Sequence, residues 1–153
     1  MANELYPSVG FRKDVLEASK EKELSVQSFT YTSSGNFTAS STGNLLGAIA
    51  HENGEIVDIV LSAGNQGRDN DNDLSLSADL KVNGSSVVDS SPTIMSAASG
   101  ETAEAYVADK PTFTSPNVSR GDRLDLDLDL TRTASPDVEM QDLYATVKVL
   151  VTE

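Results

Sequence analysis

The sequence has no cysteine, no tryptophan and a single histidine, His51. These absences exclude disulfide scaffolds, thiol nucleophiles, iron–sulfur clusters and nearly every zinc arrangement, because each depends on sulfur or imidazole donors. Only oxygen chemistry is left. Aromatic residues make up 5% of the chain and hydrophobic residues 38%. That is below the roughly 45–50% apolar share of ordinary globular domains, so the expected core is thin and aliphatic. Positive charge is also scarce: 11 Lys and Arg stand against 24 Asp and Glu, a formal net charge of −13. Such a surface repels phosphate backbones and anionic lipid, which puts nucleic acid and membrane surfaces last among partners. No apolar run approaches the roughly 18 residues that a membrane span needs, and the N-terminus MANELYPSVGFRKDVLEASKEKEL has no stretch of signal-peptide character. The expectation is a protein made and kept soluble. The N-x-S/T sequons at Asn36, Asn83 and Asn117 are accordingly read as turn chemistry.

The length of 153 residues suits one domain with an appendage. Residues 1–23 are the expected appendage, an arm or short helix, because they concentrate Lys13, Lys20 and Lys22 with Glu residues and lack the alternation seen later. A helix there rests on Val15, Leu16 and Ser19 sharing one side, a narrow stripe for docking. Upstream, Leu5, Tyr6, Val9 and Phe11 sit in a polar segment broken by Pro7 and Gly10, which suits a tail packing outside its own fold. The alternative is a disordered terminus.

From residue 24 onward the period becomes two, and residues 24–153 are expected to form a β-sandwich. In LSLSADLKV, Leu74, Leu76, Ala78, Leu80 and Val82 point one way and Ser75, Ser77, Asp79 and Lys81 the other. The run ends at Asn83-Gly84, a pair that tolerates positive φ twice and closes a hairpin into 85–89. In RLDLDLDLT, Leu124, Leu126, Leu128 and Leu130 face inward while Asp125, Asp127 and Asp129 form an acidic row outside. In LYATVKVLV, Leu143, Ala145, Val147, Val149 and Val151 face inward. Further strands are expected at 24–32, 36–39, 45–50, 55–62, 93–97, 104–108 and 113–118. The separating turns are Ser34-Gly35, Asn53-Gly54, Gly64 to Gly67, Ser99-Gly100 and Ser115-Pro116. Many short strands without a convincing helix point to an all-β, antiparallel two-layer sandwich, either jelly-roll or immunoglobulin-like.

Several constellations invite chemistry. Asp69, Asp71 and Asp73 match the first ligand positions of an EF-hand calcium loop, but Leu74 stands where the loop needs Gly and Leu80 where it needs the bidentate Glu. A solvated acidic loop is the preferred reading, and a calcium site of another type stays open. The row Asp125, Asp127, Asp129 sets like charges about 7 Å apart, which calls for cations from Lys81, Lys148, Arg123 or Arg132. A soluble outer sheet face is the plain reading of it. A carboxylate pair for glycoside hydrolysis would arise by chance among so many acids. His51 lies in a turn, no G-x-S-x-G elbow accompanies it, and Gly43 to Gly47 lack the Lys-Ser/Thr of a phosphate loop. The chain is expected to be no enzyme and to hold no cofactor.

The ordered pattern Gly47-Ala48-Ile49, Gly54-Glu55-Ile56, the run from Leu76 into Asn83-Gly84-Ser85-Ser86-Val87, Pro92-Thr93-Ile94, then Val118 and Gly121-Asp122-Arg123-Leu124 resembles tailed-bacteriophage virion proteins with β-sandwich folds. It is most like small capsid decoration, or cement, proteins. The resemblance covers 45–151, and its motifs are hairpins and strands, not a catalytic signature. It implies a structural virion protein, synthesised in the host cytoplasm, that binds the major capsid protein lattice from outside, often as a homotrimer. On that reading Leu5, Tyr6, Val9 and Phe11 are the partner-binding residues. The alternative is a carbohydrate- or ligand-binding sandwich module, including a fibre or baseplate receptor-binding role, with the Asp69 to Asp73 segment as a calcium-assisted site. Scarce aromatics count against sugar stacking.

Overall fold

The computed structural model describes residues 25–40, 48–69, 73–132 and 136–152, and among them no helix occurs. The arm expected at 1–23, with Leu5, Tyr6, Val9 and Phe11, lies outside the described residues, as do Asn70, Asp71 and Asn72. Twelve strands follow in chain order: β1 (Val26–Asn36), β2 (Ala48–Ile49), β3 (Gly54–Asn65), β4 (Ser75–Val82), β5 (Ser85–Ser86), β6 (Val88–Ser90), β7 (Thr93–Met95), β8 (Tyr106–Val107), β9 (Thr112–Phe113), β10 (Asn117–Val118), β11 (Arg123–Thr131) and β12 (Gln141–Val151). One five-stranded sheet runs β1-β12-β3-β10 with β8 also on β3, and the other runs β2-β11-β4-β5 with β7 also on β4. Strands β6 and β9 form a small separate pair. All pairings between named strands are antiparallel.

Renumbered along the two main paths, the strands read 1-8-3-6 and 2-7-4-5. That interleaving is the order of a jelly roll, which decides between the two sandwich topologies the sequence left open.

Alternation is the reason these segments are strands. Leu74, Leu76, Ala78 and Leu80 are fully buried, as are Leu124, Leu126 and Leu128 on β11 and Ala145, Val147 and Val149 on β12. Together with Ile56, Ile59 and Leu61 of β3 they form one core between the sheets. Each such side chain contributes roughly 1.5–3 kcal/mol of transfer free energy. The core is aliphatic as expected, with Phe37 the one aromatic among its buried members.

The turn expected at Ser34-Gly35 is instead a bulge inside β1. The pairing of β1 with β12 shifts register between Ser33 and Asn36, where Gly35 has φ +78° and donates its N–H to Asp142 Oδ1 at 2.8 Å. The strand expected at 36–39 is absent beyond Asn36, although Phe37 enters the core. The segments 85–89 and 113–118 each break into two short pieces. The Asn83-Gly84 hairpin has positive φ at both residues, 51° and 86°. Of the three sequons, Asn83 is thus turn chemistry, while Asn36 and Asn117 fall at strand ends.

Candidate interaction surface

The two sheets expose very different outer faces. On the β4–β11 side, register places Asp125 opposite Lys81, Asp127 opposite Asp79 and Asp129 opposite Ser77. Like charges directly opposite are destabilising unless compensated, and here each carboxylate has a partner from its own chain. Lys81 Nζ bonds Asp127 Oδ2 at 2.6 Å, Arg123 Nε bonds Asp125 Oδ1 at 2.9 Å, and Ser86 Oγ donates to Asp79 Oδ1 at 2.6 Å. Ser40 Oγ donates to Asp129 Oδ1 at 3.3 Å. The hydrogen bond from Lys81 to Asp127, with the charge of that carboxylate, holds the ammonium above its ordinary pKa. The row is therefore less solvated than its pattern implied: Asp125 is only 8% exposed. Of the cations anticipated, Lys81 and Arg123 serve this row, Arg132 pairs with Glu139 instead, and Lys148 belongs to the other sheet, opposite Asp58.

On the other sheet, the outer face of β1 is free of charge, while β12 and β3 carry Lys148, Asp58 and Glu55. Register aligns Ser28 with Lys148 and Asp58, Thr30 with Thr146 and Val60, and Thr32 with Tyr144 and Ser62. Val26 stays 49% exposed and Tyr144 42%, and Val107 of β8, beside Ser62, reaches 65%. Thr30 Oγ1 and Thr146 Oγ1 lie 3.0 Å apart in a hydrogen bond. Hydrogen bonding from Thr146, then from Thr30, holds the Tyr144 phenol below its usual range. The Thr30, Thr146 and Tyr144 hydroxyls thus satisfy one another, so covering that group carries a small desolvation cost. Composition marked this surface only faintly: β1 contains no charged residue in a chain that is 23% charged.

A turn closes the end of the β11 sheet. Asp122 accepts hydrogen bonds from Ser119 N–H and Asn83 Nδ2, each at 2.8 Å, and these two bonds lower its carboxyl pKa. Asn83 Oδ1 in turn accepts from Arg123 N–H at 2.9 Å.

The remaining candidates disperse. Leu74 and Leu80, which break the EF-hand pattern, are core residues at 0% exposure, and Asp69 is buried at 4%. Among the described residues, no three His, Cys, Asp or Glu side chains are grouped to hold a metal ion. His51 is an exposed bend residue whose N–H donates to Gln27 Oε1 at 2.9 Å. A shallow depression of about 380 Å³ lies between β3 and the β9 region, lined by Glu55, Val57, Lys110, Pro111, Phe113 and Pro116 among others. No helix among the described residues is long and apolar enough to cross a membrane.

No family model matches the chain, and no curated protein does. Among solved structures it is similar to a chain of the cyanophage Pam1 capsid asymmetric unit, at 13% identity and a TM-score of 0.45, over 85% of this chain and 86% of that one. It is also similar to the CBM36-1 domain of a multidomain xylanase from the hindgut metagenome of Trinervitermes trinervoides. There the identity is 14% and the TM-score 0.32, over 80% of this chain and 96% of that domain.

Proposed function

We propose that this chain is a non-enzymatic virion structural protein that decorates the outside of a bacteriophage capsid by binding the lattice of its major capsid protein. The observation that carries the reading is the unequal pair of outer faces on a jelly-roll body. One face is acidic with every carboxylate of its row held by its own chain, and suits exposure to water. The other is hydroxyl-rich, with an uncharged β1 and with Lys148 and Asp58 set opposite each other on β12 and β3. The sequence pattern that resembles decoration proteins, 45–151, supports the same reading. The chain enters the body beside that face, since Ser25 precedes Val26 and accepts a hydrogen bond from Val151 N–H at 2.8 Å. A leader of 23 residues spans up to roughly 80 Å when extended, enough to carry Leu5, Tyr6, Val9 and Phe11 across a neighbouring subunit.

Such a protein stabilises a shell by mass action: binding only the assembled lattice contributes RT ln(1 + [L]/Kd) per site, summed over many sites. The test is the thermal disruption of purified shells that lack the protein, with and without it added. The expected result is a saturable rise in disruption temperature. Shells that melt identically at all concentrations overturn the proposal.

A second reading, a ligand-binding module, draws on the depression beside Phe113. A glycan array tests it: a specific hit that Phe113→Ala abolishes would replace the capsid reading.

A further inference from the structure

We propose that Asn83 is a self-modification site of this chain, where the Gly84 nitrogen converts the side-chain amide into a carboxylate and the Asp122 carboxylate restrains the reaction. An asparagine followed by glycine is the pair most open to this chemistry, since glycine puts no side chain in the way of the attacking nitrogen and leaves the backbone free to turn. The chain has two such pairs, Asn53-Gly54 and Asn83-Gly84. The fold treats them differently.

The reaction requires the peptide joining the two residues to turn until its nitrogen reaches the asparagine Cγ. At Asn53 that peptide is pinned: its carbonyl accepts the Thr152 N–H at 2.9 Å, and Gly54 is buried in β3 between Val118 of β10 and Val151 of β12. Leu150 O lies 2.6 Å from the place a Cβ on Gly54 would take, so the backbone there has no room to rotate. At Asn83 the peptide is free. The pair is the exposed tip of the β4–β5 hairpin. Among the described residues, nothing comes within 4 Å of a Cβ placed on Gly84, and neither the Asn83 carbonyl nor the Gly84 N–H has a hydrogen-bond partner. Asn83 also holds a φ of +51°, in the left-handed region that costs a residue with a Cβ free energy to occupy.

What restrains Asn83 is its side chain. Nδ2 donates to Asp122 Oδ1 at 2.8 Å, and Oδ1 accepts the Arg123 N–H at 2.9 Å. The second bond draws electron density from Cγ, whereas the first ties the amide to the neighbouring turn, so its release is the gate. Once the Gly84 N–H gives its proton to a solvent base, the nitrogen bonds Cγ and the Cγ–Nδ2 bond breaks. Ammonia leaves with a proton taken from water, and a five-membered succinimide remains. Water then opens one of the two ring C–N bonds, giving aspartate or isoaspartate at position 83. One water is consumed, one ammonia is released, and nothing is oxidised or reduced. The product sets a carboxylate where Nδ2 donated, 2.8 Å from Asp122 Oδ1, so a hydrogen bond becomes a repulsion between like charges. That loosens the turn tying β4 to β11.

The test is prolonged incubation of the full folded chain in warm, mildly alkaline buffer, followed by peptide mass mapping and isoaspartate detection at both pairs, with the chain unfolded in denaturant as reference. In denaturant Asn53 and Asn83 should convert at similar rates. In the folded chain Asn83 should convert while Asn53 stays intact. Asp122→Ala should speed conversion at Asn83 several-fold and leave Asn53 unchanged. If that variant unfolds, which conversion of both pairs would reveal, Asp122→Asn decides, since it keeps an oxygen for the Ser119 N–H but removes the carboxylate. Conversion of Asn53 as fast as Asn83 in the folded chain, an Asn83 that stays intact while the unfolded chain converts, or an Asn83 rate indifferent to the Asp122 variants would overturn the proposal.

Discussion

The outward face of β4 and β11 carries Asp79, Asp125, Asp127, Asp129 and Lys81, whereas that of β1 and β12 carries Ser28, Thr30, Thr32, Tyr144 and Thr146 beside Lys148. Both faces alternate with the same aliphatic interior, so burial dictates the inward residues of each sheet and leaves the outward ones free. What the outward residues record is the medium they meet. Charges bonded within their own chain hold a face in water, and mutually bonded hydroxyls leave a face that a partner covers at little cost. On the proposed function, the contrast puts solvent on one side of the sandwich and contact on the other.

The largest expected effect separates inside from outside on one strand. Leu126→Asp buries an unpaired carboxylate at a position with 0% exposure, costing several kcal/mol of a total near 5–15, and should unfold the domain. Asp127→Ser, one residue on, should leave a cooperative melting curve close to that of the wild type. Equal melting of the two variants would break the assigned register and with it the division into faces.

Next in size is the hydroxyl network of the β1–β12 face. Thr146→Val removes the bond to Thr30 from a residue 4% exposed, which should cost about 1 kcal/mol in chemical denaturation. Because Thr146 is the main cause of the lowered Tyr144 phenol, the same variant should move that phenol back up in an ultraviolet pH titration. A titration that stays in place would mean the network does not exist in solution.

A smaller effect sharpens the acidic side. The Asp122 carboxyl is held below its ordinary pKa by Ser119 N–H and Asn83, so its contribution is present above the unfolded-state value near 4. That contribution is lost as pH falls through the lower folded-state value. Asp122→Asn should therefore melt earlier than wild type at neutral pH, and the gap should close in acid. A gap that persists in acid would trace the loss to something other than the carboxylate. The smallest effect expected is that of calcium: chelation should hardly move the melting temperature. A rise above about 5 °C with millimolar calcium, worth a kcal/mol or more, would revive a metal site at Asp69 to Asp73.

Much of the sandwich was legible because burial on one side leaves a period of two. Leu74 to Val82, Leu124 to Leu130 and Leu143 to Val151 alternate as expected, Val82 and Val151 at their strand ends being only half-covered. Strands of two residues, such as β8 and β10, are too short to show a period. Gly35 read as a turn because positive φ serves a bulge equally well. The hydroxyl-rich face was illegible for a different reason: Thr30 and Thr146 meet across 116 positions, and only the register of β1 on β12 brings them together. The partner-binding set Leu5, Tyr6, Val9 and Phe11 rests on composition alone, since those residues lie outside the described ones.

The most direct measurement is co-sedimentation of the full chain, and of a chain lacking 1–23, with purified capsid shells that lack the native protein, alongside the melting curve of each. Burying Leu5, Tyr6, Val9 and Phe11 on another subunit contributes roughly 1.5–3 kcal/mol each before ordering costs. The expected result is saturable binding of the full chain, and a truncated chain that melts as before but binds more weakly. Failure of the full chain to sediment with shells would contradict capsid decoration outright, and unchanged binding by the truncated chain would move the attachment from the leader to the sandwich.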